Sequence, residues 1–248
     1  MTILGVLFDV DDTLFDYSTS ERVGILKHLA AEEMLELFPS PAEAVEVWRE
    51  IMEEEYARFL AGELTFAGQQ LARARRLLAH VGRLPADGMP DDTVTVWFSR
   101  YTEFRKTAWA AFPDAAPTLA SLAVRYRLGV VSNSSLAHQR EKLRVIGLLD
   151  HFGDAILCSD DHGAPKPDPG IFLAGCALLG LPPHQVAYVG DKYDVDALGA
   201  RDAGLHAYWL DRAATGTADG AAPPDGADGV TMIGSLDELV TALTTLTA

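Results

Sequence analysis

The stretch ILGVLFDVDDT occupies residues 3–13 and changes abruptly from apolar to acidic. Six apolar residues, Ile3 to Phe8, are too few for an ordinary helix and are typical of a strand buried on both faces. The change at Asp9 predicts that this strand ends there and continues into an acidic loop. The stretch therefore predicts a buried first strand with carboxylates at its C-terminal end.

Four further short apolar runs alternate with helical patterns in the second half of the chain. They predict strands at 128–131, 155–158, 186–189 and 206–210. Strands that alternate with helices indicate a parallel sheet with helices on both faces. We therefore predict an α/β fold with a doubly wound, Rossmann-like core.

The segment 18–108 has a different pattern, with apolar residues at helical spacing and few strand signals. Ser40 and Thr65 are suited to cap two of its helices. We predict an α/β hydrolase core made of residues 1–17 and 109–248, and an all-helical insertion at 18–108.

Composition limits the classes of partner. The 248 residues carry 20 basic and 36 acidic side chains, a net charge of −16, which repels nucleic acid and acidic membranes. The apolar start is too short for a membrane span and lacks the basic residues of a signal peptide. Cys158 and Cys176 lie in apolar stretches and fit two buried thiols. We expect a cytoplasmic protein that binds neither nucleic acid nor membrane.

Polar side chains follow the first four predicted strands or lie in the loops beyond them. They are Asp9, Asp11, Ser132, Asn133, Lys166, Asp191, Asp194 and Asp196. Because ligands of parallel sheets bind beyond the C-terminal strand ends, we expect these groups to converge. Clustered carboxylates repel one another, and a hard cation such as Mg²⁺ relieves that repulsion. We expect Mg²⁺ with Asp9 and Asp191 as side-chain ligands, and the absence of His and Cys argues against zinc.

Four motifs built on these residues resemble, in order, those of the haloacid dehalogenase superfamily. They are FDVDDTL at 8–14, VSN at 131–133, KPDPGIF at 166–172, and VGD at 189–191 with Asp196 five residues on. The helical insertion directly after the first motif is similar to that family's small helical cap. A cap in that position implies a small phosphorylated metabolite as substrate.

The resemblance implies a phosphatase mechanism and a role for each residue. Asp9 would attack phosphorus and form an aspartyl phosphate, while Asp11 would protonate the leaving oxygen and then activate water. Lys166 would neutralise charge on Asp9 and on the transferring group. The implied phosphate-binding residues are Thr13, Ser132, Asn133 and Lys166. The implied metal ligands are Asp9, the backbone carbonyl of Asp11, and Asp191, with Asp196 as outer support.

Several alternatives stay open at this stage. Family members that cleave carbon–halogen bonds lack the second aspartate, so Asp11 favours phosphate esters, whereas mutases share it. A phosphomutase, a dehalogenase or phosphonatase of the same fold, a module resembling a phospho-receiver domain, and an inactive binding relative are the alternatives. Also open are the substrate, the choice between monomer and homodimer, and whether Arg73, Arg75 or Arg76 reaches an anionic substrate.

Overall fold

The computed structural model describes residues 2–83, 85, 88–213 and 229–245. Over these residues six strands form one sheet. They are β1 (Gly5–Phe8), β2 (Arg127–Ser132), β3 (Ile156–Cys158), β4 (Val186–Gly190), β5 (His206–Leu210) and β6 (Val230–Ile233). All neighbours are parallel, in the order β3-β2-β1-β4-β5-β6. The predicted doubly wound parallel core is confirmed.

Ten α-helices accompany the sheet in the described part of the chain. They are α1 (Tyr17–Ala31), α2 (Pro41–Leu60), α3 (Phe66–His80), α4 (Asp91–Lys106), α5 (Ala115–Leu122), α6 (Leu136–Val145), α7 (Ser159–His162), α8 (Pro169–Leu179), α9 (Leu198–Asp202) and α10 (Leu236–Thr245). A π-helical turn, Tyr193–Ala197, leads into α9. No helix of the described residues combines the length and the apolar composition that crossing a bilayer requires.

The chain divides into two compact units. The α/β unit comprises Met1–Asp16 and Ala110–Ala248, and the helical unit comprises Tyr17–Trp109. The helical unit contains α1 to α4 around its own apolar core, which includes Trp48 and Tyr101.

The predicted caps of two helices in the helical unit are confirmed. The Ser40 hydroxyl accepts a hydrogen bond from the Glu43 N–H at 3.2 Å, and α2 begins at the next residue. The Thr65 hydroxyl accepts one from the Gly68 N–H at 3.0 Å, at the start of α3. Each bond satisfies an N–H group that has no partner inside its helix, and so fixes where the helix begins.

All five predicted strands are present, with ends that differ by one or two residues. The sixth, β6, was not predicted, because of its four residues only Ile233 is buried and the apolar signal is correspondingly weak. A loop expected at 213–229 lies, apart from its two end residues, outside the described residues.

The sheet order places the first strand at the centre. Phe8 of β1 pairs with Val130 of β2 on one side and with Val189 of β4 on the other. The chain builds the sheet outward from β1 through β2 and β3, then reverses and builds through β4. Ligands of open α/β sheets bind where the strand order reverses in this way. Asp9 and Asp191, which directly follow β1 and β4, lie at that point.

Candidate active site

Asp9 lies at the C-terminal end of β1 and is only 6% exposed. Its N–H donates to the Val189 carbonyl at 2.9 Å, which extends the pairing of β1 with β4 by one residue. Its Oδ1 accepts a hydrogen bond from Nζ of Lys166 at 2.7 Å. Burial raises the pKa of Asp9 to about 6 against the attraction of Lys166, and neighbouring carboxylates add to the rise. The Asp9 carboxylate is therefore held in one position and is short of positive charge.

Lys166 has three partners around its buried ammonium. Besides Asp9, Nζ donates to Oδ1 of Asp196 at 2.6 Å and lies 2.9 Å from the Tyr188 hydroxyl. The residue is 2% exposed. An ammonium carries three N–H donors, so these partners use its full capacity. Lys166 is thereby fixed between two carboxylates.

Asn133 fixes the backbone that carries this lysine. Its Oδ1 accepts from the Lys166 N–H at 2.7 Å, and its Nδ2 donates to the Lys166 carbonyl at 3.0 Å. The pair of bonds ties the loop between α7 and α8 to the end of β2. Sequence reasoning assigned Asn133 to phosphate, and it did not anticipate this positioning contact.

Asp11 is held by a different set of side chains. Its Oδ2 accepts from Nε2 of Gln139 at 3.1 Å, and its Oδ1 forms an ion pair with Nζ of Lys142. Lys142 is buried, with its ammonium 4.7 Å from the centre of the Phe15 ring. The two aspartates of the first motif thus have separate cationic partners, Lys166 for Asp9 and Lys142 for Asp11.

Three residues of this network were not singled out from the sequence: Gln139, Lys142 and Tyr188. Gln139 and Lys142 are three positions apart on α6 and therefore share one face of the helix. Tyr188 places a hydroxyl within a strand whose residues are all buried. The spacing on α6 was visible in the sequence, but the direction in which that face points was not.

A second group of carboxylates surrounds Asp9. Carboxylate oxygens of Asp9, Asp191 and Asp196 all lie within 4.8 Å of one another. Burial raises the pKa of Asp191 well above its ordinary value, and the charges of Asp196 and Asp9 raise it further. A Cβ at Gly190 would lie 2.4 Å from Cγ of Asp196, so only glycine allows that carboxylate to approach. The fold thus brings three mutually repelling groups together.

The donor set of this group fits a hard divalent cation. Four carboxylates (Asp9, Asp11, Asp191 and Asp196) face two buried lysines (Lys142 and Lys166), which leaves two negative charges uncompensated. All the donors are oxygen atoms, the kind that Mg²⁺ and Ca²⁺ prefer. Both predicted side-chain ligands, Asp9 and Asp191, belong to the group.

Asp196 belongs to the three-carboxylate group, whereas the side chain of Asp11 does not. Asp196 was predicted as outer support, and both of its oxygens are already engaged: Oδ1 by Lys166 and Oδ2 by the Lys192 N–H at 3.0 Å. The Asp11 side chain points toward Lys142 and is absent from the three-carboxylate group. Only its backbone carbonyl was expected to bind the metal.

Two predicted phosphate-binding residues, Thr13 and Ser132, are buried. Ser132 Oγ accepts from Nε2 of Gln139 at 2.9 Å, so Gln139 joins Ser132 to Asp11. Thr13 Oγ1 has no hydrogen-bond partner among the described residues, while the Thr13 carbonyl accepts from Arg212 at 2.8 Å. Their binding of phosphate stays a prediction.

Comparison with known proteins points to one family. A family model described as haloacid dehalogenase-like hydrolase matches residues 3–204. A glyceraldehyde 3-phosphate phosphatase from Methanopyrus kandleri is 32% identical over 204 residues, 82% of each chain. A solved 2-haloacid dehalogenase from Pseudomonas syringae pv. Tomato DC3000 is 30% identical, with complete coverage of both chains and a TM-score of 0.64. A solved hydrolase of the haloacid dehalogenase type from Bacillus subtilis shares the fold, with a TM-score of 0.80, 22% identity, and coverage of 98% of this chain and 100% of its own.

Proposed function

Since the chain belongs to the haloacid dehalogenase-like hydrolases, we propose that it is a magnesium-dependent phosphatase that hydrolyses phosphate monoesters of small metabolites. The observation that carries the proposal is the pair of carboxylates, Asp9 and Asp11, two residues apart and each bound by its own buried lysine. A nucleophile and an acid–base group need different environments, and these two carboxylates have them.

Asp9 is the proposed nucleophile. Its carboxylate attacks phosphorus, the bond from phosphorus to the ester oxygen breaks, and an aspartyl phosphate forms. Lys166, at 2.7 Å from Asp9 Oδ1, opposes the build-up of negative charge on the carboxylate and on the transferred group. Because Asn133 and Tyr188 hold Lys166 in place, its charge needs no reorganisation during the reaction.

Asp11 is the proposed acid and base. In the first step its carboxyl group gives a proton to the departing oxygen, and in the second its carboxylate takes a proton from the water that attacks the aspartyl phosphate. Lys142 and Gln139 orient this carboxyl group from α6. Together the two steps return Asp11 to its starting protonation state and release an alcohol and inorganic phosphate.

The proposed cation is Mg²⁺, held by the carboxylates of Asp9 and Asp191 with the Asp11 carbonyl as a further ligand. When bound, it supplies positive charge beside the phosphate oxygens and balances the two excess negative charges of the site. Asp196 supports this arrangement through Lys166 and the Lys192 N–H.

The substrate class follows from the relatives, and glyceraldehyde 3-phosphate is the first compound to test. Dehalogenation is the second candidate, because a dehalogenase is 30% identical over the whole chain. A departing halide takes no proton, so Asp11 would have no task in that reaction, and phosphate ester hydrolysis is the better-supported function. The two buried free thiols, Cys158 and Cys176, fit the reducing cytoplasm in which we expect the protein to work.

The decisive experiment is an assay of phosphate release from p-nitrophenyl phosphate and glyceraldehyde 3-phosphate. We expect release that stops with EDTA and returns when Mg²⁺ is added in excess. Chloride release from 2-chloropropionate, measured with the same enzyme, should stay at background. Halide release without phosphate release would replace the proposal with the dehalogenase, and metal-independent phosphate release would remove the assigned role of the carboxylate cluster.

A further inference from the structure

Arg212 lies two residues after the end of β5 and forms an ion pair with Asp114, which directly precedes α5. Its Nη1 donates to Oδ2 of Asp114 at 3.0 Å, and its Nη2 donates to Oδ1 at 3.0 Å. The two side chains are 23% and 14% exposed, so solvent screens the pair only in part. The carboxylate therefore holds the planar guanidinium in one orientation through two parallel bonds.

Two further contacts restrain this ion pair. The guanidinium carbon of Arg212 lies 3.8 Å from the centre of the Phe112 ring, and this stacking supports the plane of the guanidinium. Oδ2 of Asp114 also accepts from the N–H of Leu236, the first residue of α10, at 3.0 Å. The ion pair thereby joins the end of β5 to the starts of both α5 and α10.

Arg212 also makes a bond that this structural link does not need. Nη2 carries two protons, and besides Asp114 it donates to the backbone carbonyl of Thr13 at 2.8 Å. Thr13 belongs to residues 9–15, here called the nucleophile loop, which contains Asp9 and Asp11. The bond to Thr13 connects Arg212 to the loop that carries both proposed catalytic aspartates.

The nucleophile loop is closed on itself by backbone hydrogen bonds. The Val10 carbonyl accepts from the N–H groups of Thr13, Leu14 and Phe15 at 3.3, 2.9 and 2.9 Å. The Asp12 N–H donates to the Phe15 carbonyl at 2.8 Å. A displacement of Thr13 is therefore transmitted to the rest of the loop.

Contacts from outside also hold this loop. Asp12 has a φ of +55°, in the left-handed region, which a residue other than glycine keeps only where its surroundings fix the backbone. Two consecutive carbonyls are bound from outside: that of Thr13 by Arg212, and that of Leu14 by the Phe112 N–H at 3.0 Å. Since Phe112 and Arg212 also stack on each other, the two outer bonds belong to one assembly.

We propose that Arg212 is a positioning residue for the reaction. By holding the Thr13 carbonyl it fixes the nucleophile loop, and with it the two Mg²⁺ ligands assigned to that loop, the Asp9 carboxylate and the Asp11 carbonyl. Arg212 touches none of the reacting atoms and acts through the backbone, while Asp114 orients Arg212. The inference rests on the proposed phosphatase function and adds a residue to it.

The first test follows the order of the loop in Arg212→Lys. A lysine keeps a positive charge beside Asp114 but lacks the planar fork that also reaches Thr13. Hydrogen exchange read by mass spectrometry should show the amides of the nucleophile loop exchanging about tenfold faster than in wild type, with those of β2 unchanged. Arg140→Lys is the matched control, because Arg140 also pairs with an aspartate, Asp154, and donates to a backbone carbonyl. It should exchange like wild type.

The second test measures the consequence for the metal site. Calorimetric titration without substrate should give Arg212→Lys a dissociation constant for Mg²⁺ about tenfold above that of wild type. At saturating Mg²⁺, kcat for p-nitrophenyl phosphate should fall by about tenfold. A residue that only stabilised the fold would lower the midpoint of thermal unfolding and leave both quantities of the folded protein unchanged.

A third variant tests the role of the carboxylate. Asp114→Asn keeps an oxygen for the Leu236 N–H but removes the charge that orients Arg212, so loop exchange and the Mg²⁺ dissociation constant should rise by about threefold. Combined with Arg212→Lys it should add nothing to the effect of the lysine, because both changes act through the bond to Thr13. If Arg212→Lys does not fold, Asp114→Asn takes its place.

The proposal is overturned if Arg212→Lys matches wild type in loop exchange or in Mg²⁺ affinity, since Arg212 would then serve only as a link between β5, α5 and α10. Equal changes in Arg140→Lys would also overturn it. Exchange and calorimetry need no turnover, so an absence of phosphatase activity in wild type contradicts the proposed function alone. If wild type binds no Mg²⁺, the proposed cofactor is wrong and loop exchange alone decides the role of Arg212.

Discussion

The two units of the molecule differ in how their buried polar groups are partnered. In the α/β unit the ammonium of Lys166 has three partners, and the carboxylates around it outnumber the lysines. In the helical unit several buried polar atoms, among them the Ser20 hydroxyl and both ring nitrogens of His28, have no hydrogen-bond partner among the described residues. A satisfied buried network is rigid, whereas an unsatisfied charge costs free energy until a ligand pairs with it. The comparison indicates that the protein itself orients the reacting side chains and leaves their excess negative charge for a cation to balance, whereas the helical unit keeps buried polar groups without hydrogen-bond partners.

The largest effect should come from removing the proposed nucleophile. Asp9→Asn keeps the shape of the side chain but cannot form the acyl phosphate, so phosphate release should fall by about 10⁴-fold or more. The measurement is steady-state release from p-nitrophenyl phosphate with saturating Mg²⁺. Asp194→Asn is the matched control, because Asp194 is exposed on the π-helical turn that follows β4. Substantial activity in Asp9→Asn, with the control equally active, would contradict the covalent mechanism.

The next largest effect should come from removing one negative charge from the group of Asp9, Asp191 and Asp196. Asp191→Asn removes one of the two excess charges, so the Mg²⁺ concentration needed for half-maximal activity should rise by about 100-fold. The same change should lower activity at saturating Mg²⁺ much less. Phosphate release measured over a series of Mg²⁺ concentrations gives both the half-maximal concentration and the activity at saturation. Asp194→Asn is again the control. An unchanged Mg²⁺ requirement would place the cation elsewhere.

A smaller effect should follow when Asp11 loses its cationic partner. Lys142→Met fills the same space without the charge and keeps the hydrogen bond from Gln139 to Asp11, so kcat should fall by about tenfold with KM little changed. Arg144→Met, which removes an exposed cation from the same helix, should retain wild-type kcat. Equal kcat values in the two variants would show that Asp11 does not need the charge of Lys142.

Some contacts of the candidate site could be predicted from the sequence, and others could not. The meeting of Asp9 with Asp191 could be anticipated, because both directly follow strands of a parallel sheet and such strand ends share an edge. The partnership of Asp11 with Lys142 could not, because it depends on how α6 is rotated against the sheet, and that rotation is set by packing. The short apolar runs that identified five strands have no counterpart in β6, which has a single buried side chain.

The arginines of the helical unit show more clearly which contacts the sequence alone does not predict. In the sequence Arg73, Arg75 and Arg76 form one basic cluster with no internal distinction. The structure separates them by helical phase, since Arg75 and Arg76 lie beside carboxylates of other segments and Arg73 lies in the interior. Helical periodicity predicts that the three point in different directions, but not which direction meets an acid.

The smallest effect tests an unpartnered group of the helical unit, the imidazole of His28. The ring is fully buried against Trp97, 4.3 Å between ring centres, and neither of its nitrogens has a hydrogen-bond partner among the described residues. Burial lowers the pKa of His28 to about 4, with Glu32 opposing and Arg100 adding to the shift. Between that value and about 6.5 the unfolded chain binds a proton that the folded chain does not, so His28 makes the free energy of unfolding fall as the pH is lowered through this range.

Urea unfolding at pH 7.5 and pH 4.5 measures this contribution. His28→Leu should reduce the loss of stability between the two pH values by about 2 kcal/mol relative to wild type. His80→Leu, which replaces an exposed imidazole of the same unit, should leave the wild-type loss unchanged. Carboxylates of the α/β unit also gain protons over this range, but they are common to all three proteins and cancel in the differences. Equal pH dependence in His28→Leu and wild type would mean that the buried ring gains a partner in solution, which would weaken the contrast between the two units.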